Sequence, residues 1–357
     1  MMIIGVAITV AAHQPFSILS HTAHWDGGWY MTVINGGYVT NAAAPAFYPL
    51  FPAAVSLVRF LSFSLIDVLA AGQIVNLVSL WLIVTAMLKI GQILFDDERR
   101  YWLPVLMLTG STAFFLHVFY SEALFMALGF WAYLFALRSK WLKVGLLLAI
   151  LTATRLPAVL FVVLCLLEYA RQYKWNIKKI FNLNLAYFLL APLGFITYAI
   201  FLQIVRSDFL AMFHAYKATN DWVYQVFNIN FIGTIIAAFW KTTLIVFGLV
   251  KFNKETLIGT VLPVIALLLL SISSLYLTTR KDRRYLPLGI IGFLSIIMFT
   301  LNSNVISLHR YALPSLSIYV AAVLFFKQRR WLYLICAMGL VIQFYLYTLF
   351  ISNIFAG

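Results

Sequence analysis

The chain has 357 residues, is 64% hydrophobic and only 10% charged, and has a mean hydropathy of +0.96. No water-soluble domain of this size tolerates that balance, so composition predicts an integral membrane protein. The net charge of +14 does not point to nucleic acid here, because the basic residues fall in short clusters between apolar runs.

Apolar runs near the roughly 20 residues needed to cross a bilayer recur along the chain, which predicts helices; a barrel would show alternation over about ten residues. Residues 1–12 (MMIIGVAITVAA) lack a basic leader and read as a short first helix rather than a cleaved leader. A long outer loop, 13–67, follows, and an amphipathic piece inside it, 48–63, is expected to lie along the interface. There Leu57, Phe60 and Leu61 recur at helical spacing, while Arg59 can reach head groups. Spans are predicted at 68–95, 101–119 and 122–138. The stretch 144–169 is interrupted at its centre by Arg155 and Pro157, and reads as two short helices, out and back, with "TRLP" at the tip. A span at 181–205 leads to a second outer loop, 206–255, whose apolar piece 231–250 is also expected at the interface. Spans at 256–279, 286–301, 312–326 and 331–352 complete an all-α polytopic chain of about 11 transmembrane or re-entrant helices. It reads as one domain over 1–357, with no separate soluble domain and no internal repeat.

Five basic clusters set the orientation. Arg99 and Arg100; Arg138, Lys140 and Lys143; Arg171, Lys174, Lys178 and Lys179; Arg280, Lys281, Arg283 and Arg284; and Lys327, Arg329 and Arg330 together hold 16 of the 25 Lys and Arg. By the positive-inside rule these mark cytoplasmic turns. Cys165 and Cys336 both lie in apolar spans, so neither a disulfide framework nor a thiolate metal site is implied.

The opposite face then collects a compact set: His24, Asp26, Glu122, Arg155, Asp208, His214, Lys217, Asp221, His309 and Arg310. A charge at membrane depth costs about 3 kcal/mol on insertion scales, so those near helix ends must face a polar cavity or a partner. His13 and His21 read as surface residues. The stretch "HWDGGWYMTVINGGY", residues 24–38, places one acid among aromatic rings and glycines. Asp26 there suits two roles, an N-cap for the following helix or a catalytic acid. Trp25, Trp29 and Tyr30 suit either an interface or a stacked sugar. Glu122, Arg155, His309 and Arg310 each have a local alternative: capping, satisfying a broken helix, or reaching head groups.

In order along the chain, "HWDGGWY", "GGY", "AFYPLFP", "FYSEALF", "LTATRLP" and "HRYALP" resemble the motifs of the PIG-V type mannosyltransferases and their bacterial relatives. The similarity runs from about residue 24 to 315, and the "WDGGWY" and "FYPLFP" pair is its most specific part. The resemblance implies a GT-C glycosyltransferase fold, an acid from the first outer loop as catalyst, and a polyprenyl- or dolichyl-phosphate sugar as donor. Such a donor already carries its leaving group. Inverting transfer then needs a carboxylate to take the acceptor proton and cations to steady the departing phosphate. On that reading Asp26 is the base and Glu122 a supporting acid. Arg155, Arg310 and His309 bind the donor phosphate, and His24, Trp25, Trp29, Tyr30 and Tyr48 line the sugar or acceptor site. The aromatic segment with Pro49 and Pro52 would wall the route of the prenyl chain.

No cofactor is expected. The outer loops carry no Asp-x-Asp and no close His or carboxylate cluster, so no metal is expected either. The expected partners are the lipid-linked donor, a lipid or glycan acceptor and membrane lipids, with no nucleic acid. The active site is expected on the extracytoplasmic face of a bacterial plasma membrane, or of the endoplasmic reticulum if the chain is eukaryotic, where the family's relatives act on a GPI precursor. The competing reading is a transporter or flippase for a lipid-linked sugar, although such proteins commonly carry paired broken helices and this chain shows one.

Overall fold

The computed structural model describes residues 19–95, 98–217 and 228–357. The span expected at 1–12, His13 and Asp221 lie outside the described residues, as does the side chain of Lys217. Among the described residues every regular element is helical. In chain order the principal helices are α1 (Asp26–Gly36), α2 (Leu50–Leu61), α3 (Val68–Leu94), α4 (Trp102–Leu108), α5 (Glu122–Leu137), α6 (Trp141–Leu151) and α7 (Ala158–Gln172). They continue with α8 (Leu193–Arg206), α9 (Ala211–His214), α10 (Phe231–Val246), α11 (Leu262–Thr278), α12 (Leu286–Thr300), α13 (Leu308–Tyr311), α14 (Leu316–Phe325) and α15 (Arg329–Ile351).

Among the described residues five helical stretches are long and apolar enough to cross a membrane: Val68–Leu94, Leu183–Arg206, Lys254–Thr278, Arg283–Thr300 and Arg329–Ile351. That set is compatible with an integral multi-pass membrane protein. The longest, α3, has 27 residues and so runs about 40 Å, more than a hydrocarbon core. It opens on Asp67, whose side chain accepts from the Ala70 amide at 2.7 Å and caps the first turn. Trp81 on α3 and Val341 on α15 are 65% and 71% exposed. Large apolar side chains uncovered along long helices are compatible with a lipid-facing surface.

Helix and loop boundaries follow the breakers. "TRLP" does separate two helices, α6 and α7, and Pro157 stands at the N-cap of α7. The continuous span expected at 101–119 is not formed: α4 stops at Leu108, where Thr109, Gly110, Ser111 and Thr112 supply a polar break, and a 3₁₀ turn, Ala113–Leu116, follows. The span expected at 181–205 is found as the apolar helical stretch Leu183–Arg206; within it Pro192, which lacks an amide to continue the preceding turn, is the N-cap of α8. The piece 312–326 shortens to the ten residues of α14, after Pro314.

The main core joins α3, α5, α6, α7 and α14 through Ile83, Met87, Phe130, Leu148, Phe161 and Val320. Gly129 of α5 makes the α5–α7 contact possible: a β-carbon there would stand 2.5 Å from the Phe161 ring. A second core belongs to the loop before α3, where Tyr30, Tyr48, Phe51 and Val55 pack with Phe119, Tyr198 and Met212. That loop is therefore a folded layer over the helix ends. Its helix α2 buries Phe51 and Val55 and leaves Leu57, Phe60 and Leu61 exposed, and α10 likewise leaves Ile232, Ile236 and Trp240 uncovered. These uncovered apolar faces are what an interfacial placement requires.

Candidate functional site

Asp26 is the first residue of α1, but it does not cap that helix. Trp25 holds the N-cap position and no side-chain cap bond is made. The turn is anchored instead by Tyr120, whose hydroxyl donates to the His24 carbonyl at 3.2 Å and accepts from the Asp26 amide at 3.3 Å. Gly27 is needed for the approach, since a β-carbon there would lie 3.3 Å from the Phe119 carbonyl oxygen. One turn on, the Tyr30 hydroxyl donates to Ser121 Oγ at 2.7 Å. The start of α1 is thus fastened to residues 119–121, next to the start of α5.

With the capping role set aside, the Asp26 carboxylate is directed across to Arg310. Arg310 Nη2 pairs with Asp26 Oδ2, Arg310 Nε donates to Glu122 Oε1 at 2.6 Å, and Arg155 Nη1 meets the same Glu122 oxygen at 2.5 Å. Four side chains from four separate parts of the chain therefore form one line: Asp26, Arg310, Glu122, Arg155. Two carboxylates balance two guanidinium groups, which is the condition for burying them. Glu122 also opens α5, where the helix dipole favours an anion. Rings cushion the cations: the Arg310 guanidinium lies 4.8 Å from the Tyr120 ring centre and 5.4 Å from that of Tyr311.

The ends of this line differ in access. The Asp26 side chain is 33% exposed and that of Arg155 16%, whereas Glu122 and Arg310 are 5% and 3% exposed. Asp26 and Arg155 open on a cavity of about 470 Å³, which Tyr30, Phe47, Tyr48, Thr154, Tyr216, Asn302 and Tyr311 also line. Its remaining wall is apolar, formed by Leu156 just before α7, by Val159, Leu160 and Val163 along α7 and by Leu294, Ile297 and Met298 along α12. The cavity thus has a polar head at the ion-pair line and an apolar slot between two helices.

Of the residues expected at a site, Asp26, Arg155, Tyr30 and Tyr48 meet on this cavity, while Glu122 and Arg310 stand directly behind it. His309 is buried. Its Nε2 lies 3.2 Å from the Ala356 carbonyl oxygen, and burial pushes its pKa down to about 4, so near neutral pH it is an uncharged imidazole rather than a cation for phosphate. His24 lies against Phe350 at 5.9 Å, and burial followed by the nearby His21 lowers its pKa. Trp25 packs on Phe355, and Trp29 stacks at 5.7 Å on Phe47, reaching the cavity only through that ring. His214 pairs with Asp208 at 2.8 Å in an exposed loop.

Four wall residues are not among the expected site residues: Thr154, Tyr216, Asn302 and Tyr311. Thr154 and Tyr311 are neighbours of Arg155 and Arg310 within "LTATRLP" and "HRYALP" and were reachable as such. Tyr216 arrives from the short turn after α9, and burial raises its pKa, which keeps the hydroxyl a donor. Among the described residues no group of three or more His, Cys, Asp or Glu is arranged to hold a metal. Compared with models of protein families and with curated proteins, the chain matches none of either.

Proposed function

We propose that the chain is a membrane glycosyltransferase of the GT-C type that moves a sugar, mannose in the first instance, from a polyprenyl or dolichyl phosphate to an acceptor hydroxyl on the extracytoplasmic face. The observation that carries this reading is the cavity: a carboxylate and a guanidinium open on its polar head, and an apolar slot leads away between α7 and α12. A lipid-phosphate sugar has those parts in that order, a hydroxyl-rich ring, one phosphate and a hydrocarbon chain.

In this mechanism Asp26 takes the proton of the acceptor hydroxyl. Its Oδ2 is held by Arg310, and no other described residue takes up Oδ1, which leaves that oxygen for the acceptor. As the acceptor oxygen bonds to the anomeric carbon, the bond from that carbon to the phosphate oxygen breaks, with inversion. Arg155, on the cavity wall, meets the charge that develops on the leaving phosphate. Glu122 holds Arg155 and Arg310 in place and is itself shielded from substrate. Tyr30, Tyr48 and Tyr216 offer rings and hydroxyls to the sugar. Near 11 transmembrane or re-entrant helices, with α2 and α10 at the interface, complete the proposed architecture.

The test is incubation of purified protein with mannosyl and glucosyl polyprenyl phosphates and a panel of lipid acceptors, read by mass spectrometry. Formation of glycosylated acceptor supports transfer. Passage of intact donor across liposomes with no product would mean that the same cavity serves transport.

A further inference from the structure

The segment after α15 folds back onto the ion-pair line from the side away from the cavity. Asn353 turns it with φ of +57°, and Ala356 is almost fully buried. The Ala356 carbonyl lies 3.2 Å from His309 Nε2, and the Gly357 carbonyl accepts from Arg310 Nη1 at 3.1 Å. Arg310 is thereby held on three sides, by Glu122 at Nε, Asp26 at Nη2 and Gly357 at Nη1. No residue of this segment lines the cavity.

The segment reaches Asp26 by a second route. Trp25, the residue before it, has φ of +56° and ψ of −117°, a conformation that side-chain-bearing residues hold only when their surroundings over-determine it. Two contacts do so here. Tyr120 ties the backbone on either side of Trp25, and the Phe355 ring meets the indole edge to face, with centroids 5.3 Å apart at 81°. Strain at the residue preceding a partly exposed carboxylate fixes the direction in which that carboxylate leaves the backbone.

We propose that Phe355 is a positioning residue for Asp26, acting through Trp25 and through the carbonyls that hold His309 and Arg310. The proposal rests on the glycosyl-transfer reading for its catalytic consequence, and on the strained turn alone for its structural one. It touches neither donor nor acceptor, so its loss acts on turnover and spares binding.

Phe355→Ala is compared with Phe355→Tyr and Phe355→Leu in the full chain. The expected result for Phe355→Ala is a kcat lower by about three- to tenfold at unchanged donor KM, the scale of one aromatic pair. Phe355→Tyr restores it and Phe355→Leu does not. Unchanged kcat, a raised donor KM at normal kcat, or equal rescue by leucine overturns the proposal. Hydrogen exchange of residues 24–30 in the same variants needs no turnover. Faster exchange of the Asp26 amide in Phe355→Ala supports the clamp, and unchanged exchange overturns it. If the wild-type chain transfers no sugar, the functional reading fails while this second measurement still decides the clamp.

Discussion

Arg155 and Arg310 meet at a single oxygen: Glu122 Oε1 accepts from the first at 2.5 Å and from the second at 2.6 Å. Two cations drawn from residues 155 positions apart in sequence, both near the centre of the fold, would repel without that carboxylate. Removing it leaves Arg310 paired with Asp26 alone and Arg155 without its carboxylate partner. Glu122→Ala is therefore expected to lower stability by about 3–5 kcal/mol, the cost of an uncompensated buried charge. Thermal unfolding in detergent checks this. A midpoint equal to wild type would show that Glu122 is not what holds the arginines.

Arg155 differs from Arg310 in facing the cavity. Arg155→Lys keeps a charge but loses the planar fork that can bridge Glu122 and a phosphate together. The expected outcome is a rise in donor KM and a fall in kcat for Arg155→Lys. Arg310→Lys is expected to lower kcat with little change in donor KM, because Arg310 faces Asp26 and Glu122 rather than open space. Steady-state kinetics with a polyprenyl-phosphate sugar separates the two patterns. Equal effects on KM would remove the distinction drawn from their positions.

His309 gives a pH prediction with a definite sign. Its pKa falls from 6.5 to about 4 on folding because burial penalises the charged form, with Arg310 acting in the same direction and the Ala356 carbonyl opposing. The unfolded chain then binds the extra proton between those two values. Stability from this group is fully present above pH 6.5 and is lost as pH falls toward 4, by up to about 3 kcal/mol. His24, lowered by its own burial, acts in the same sense. Unfolding midpoints measured from pH 7 to pH 4.5 should fall, and fall less in His309→Gln. Identical slopes for both proteins would contradict the assignment.

Local patterns carried a good part of the fold. Arg155 and Pro157 inside an apolar run announced the α6–α7 turn, because a charge and a missing amide cannot both be tolerated mid-helix, and the long apolar run 68–95 announced α3. The apolar run 101–119 misled, since hydropathy weighs Thr109–Thr112 lightly although those residues end α4. The residues of the ion-pair line, Asp26, Glu122, Arg155 and Arg310, were each legible as costly charges near helix ends. Their pairing was not, because Asp26 and Arg310 stand 284 positions apart and nothing in the intervening helices encodes which ends meet. Tyr216 and Phe355 carry no charge and no motif, so only packing brings them in.

The central claim is that Asp26 takes the acceptor's proton, and Asp26→Asn tests it most directly. The amide keeps the size and the partial exposure of the carboxylate and cannot accept that proton. Glycosyl transfer from a polyprenyl-phosphate sugar is measured for Asp26→Asn beside wild type, with donor binding and the unfolding midpoint followed in the same preparations. The account predicts a folded, donor-binding protein whose transfer rate is lower by about 10²–10⁴-fold, the usual contribution of a positioned base. Turnover near the wild-type rate would contradict it.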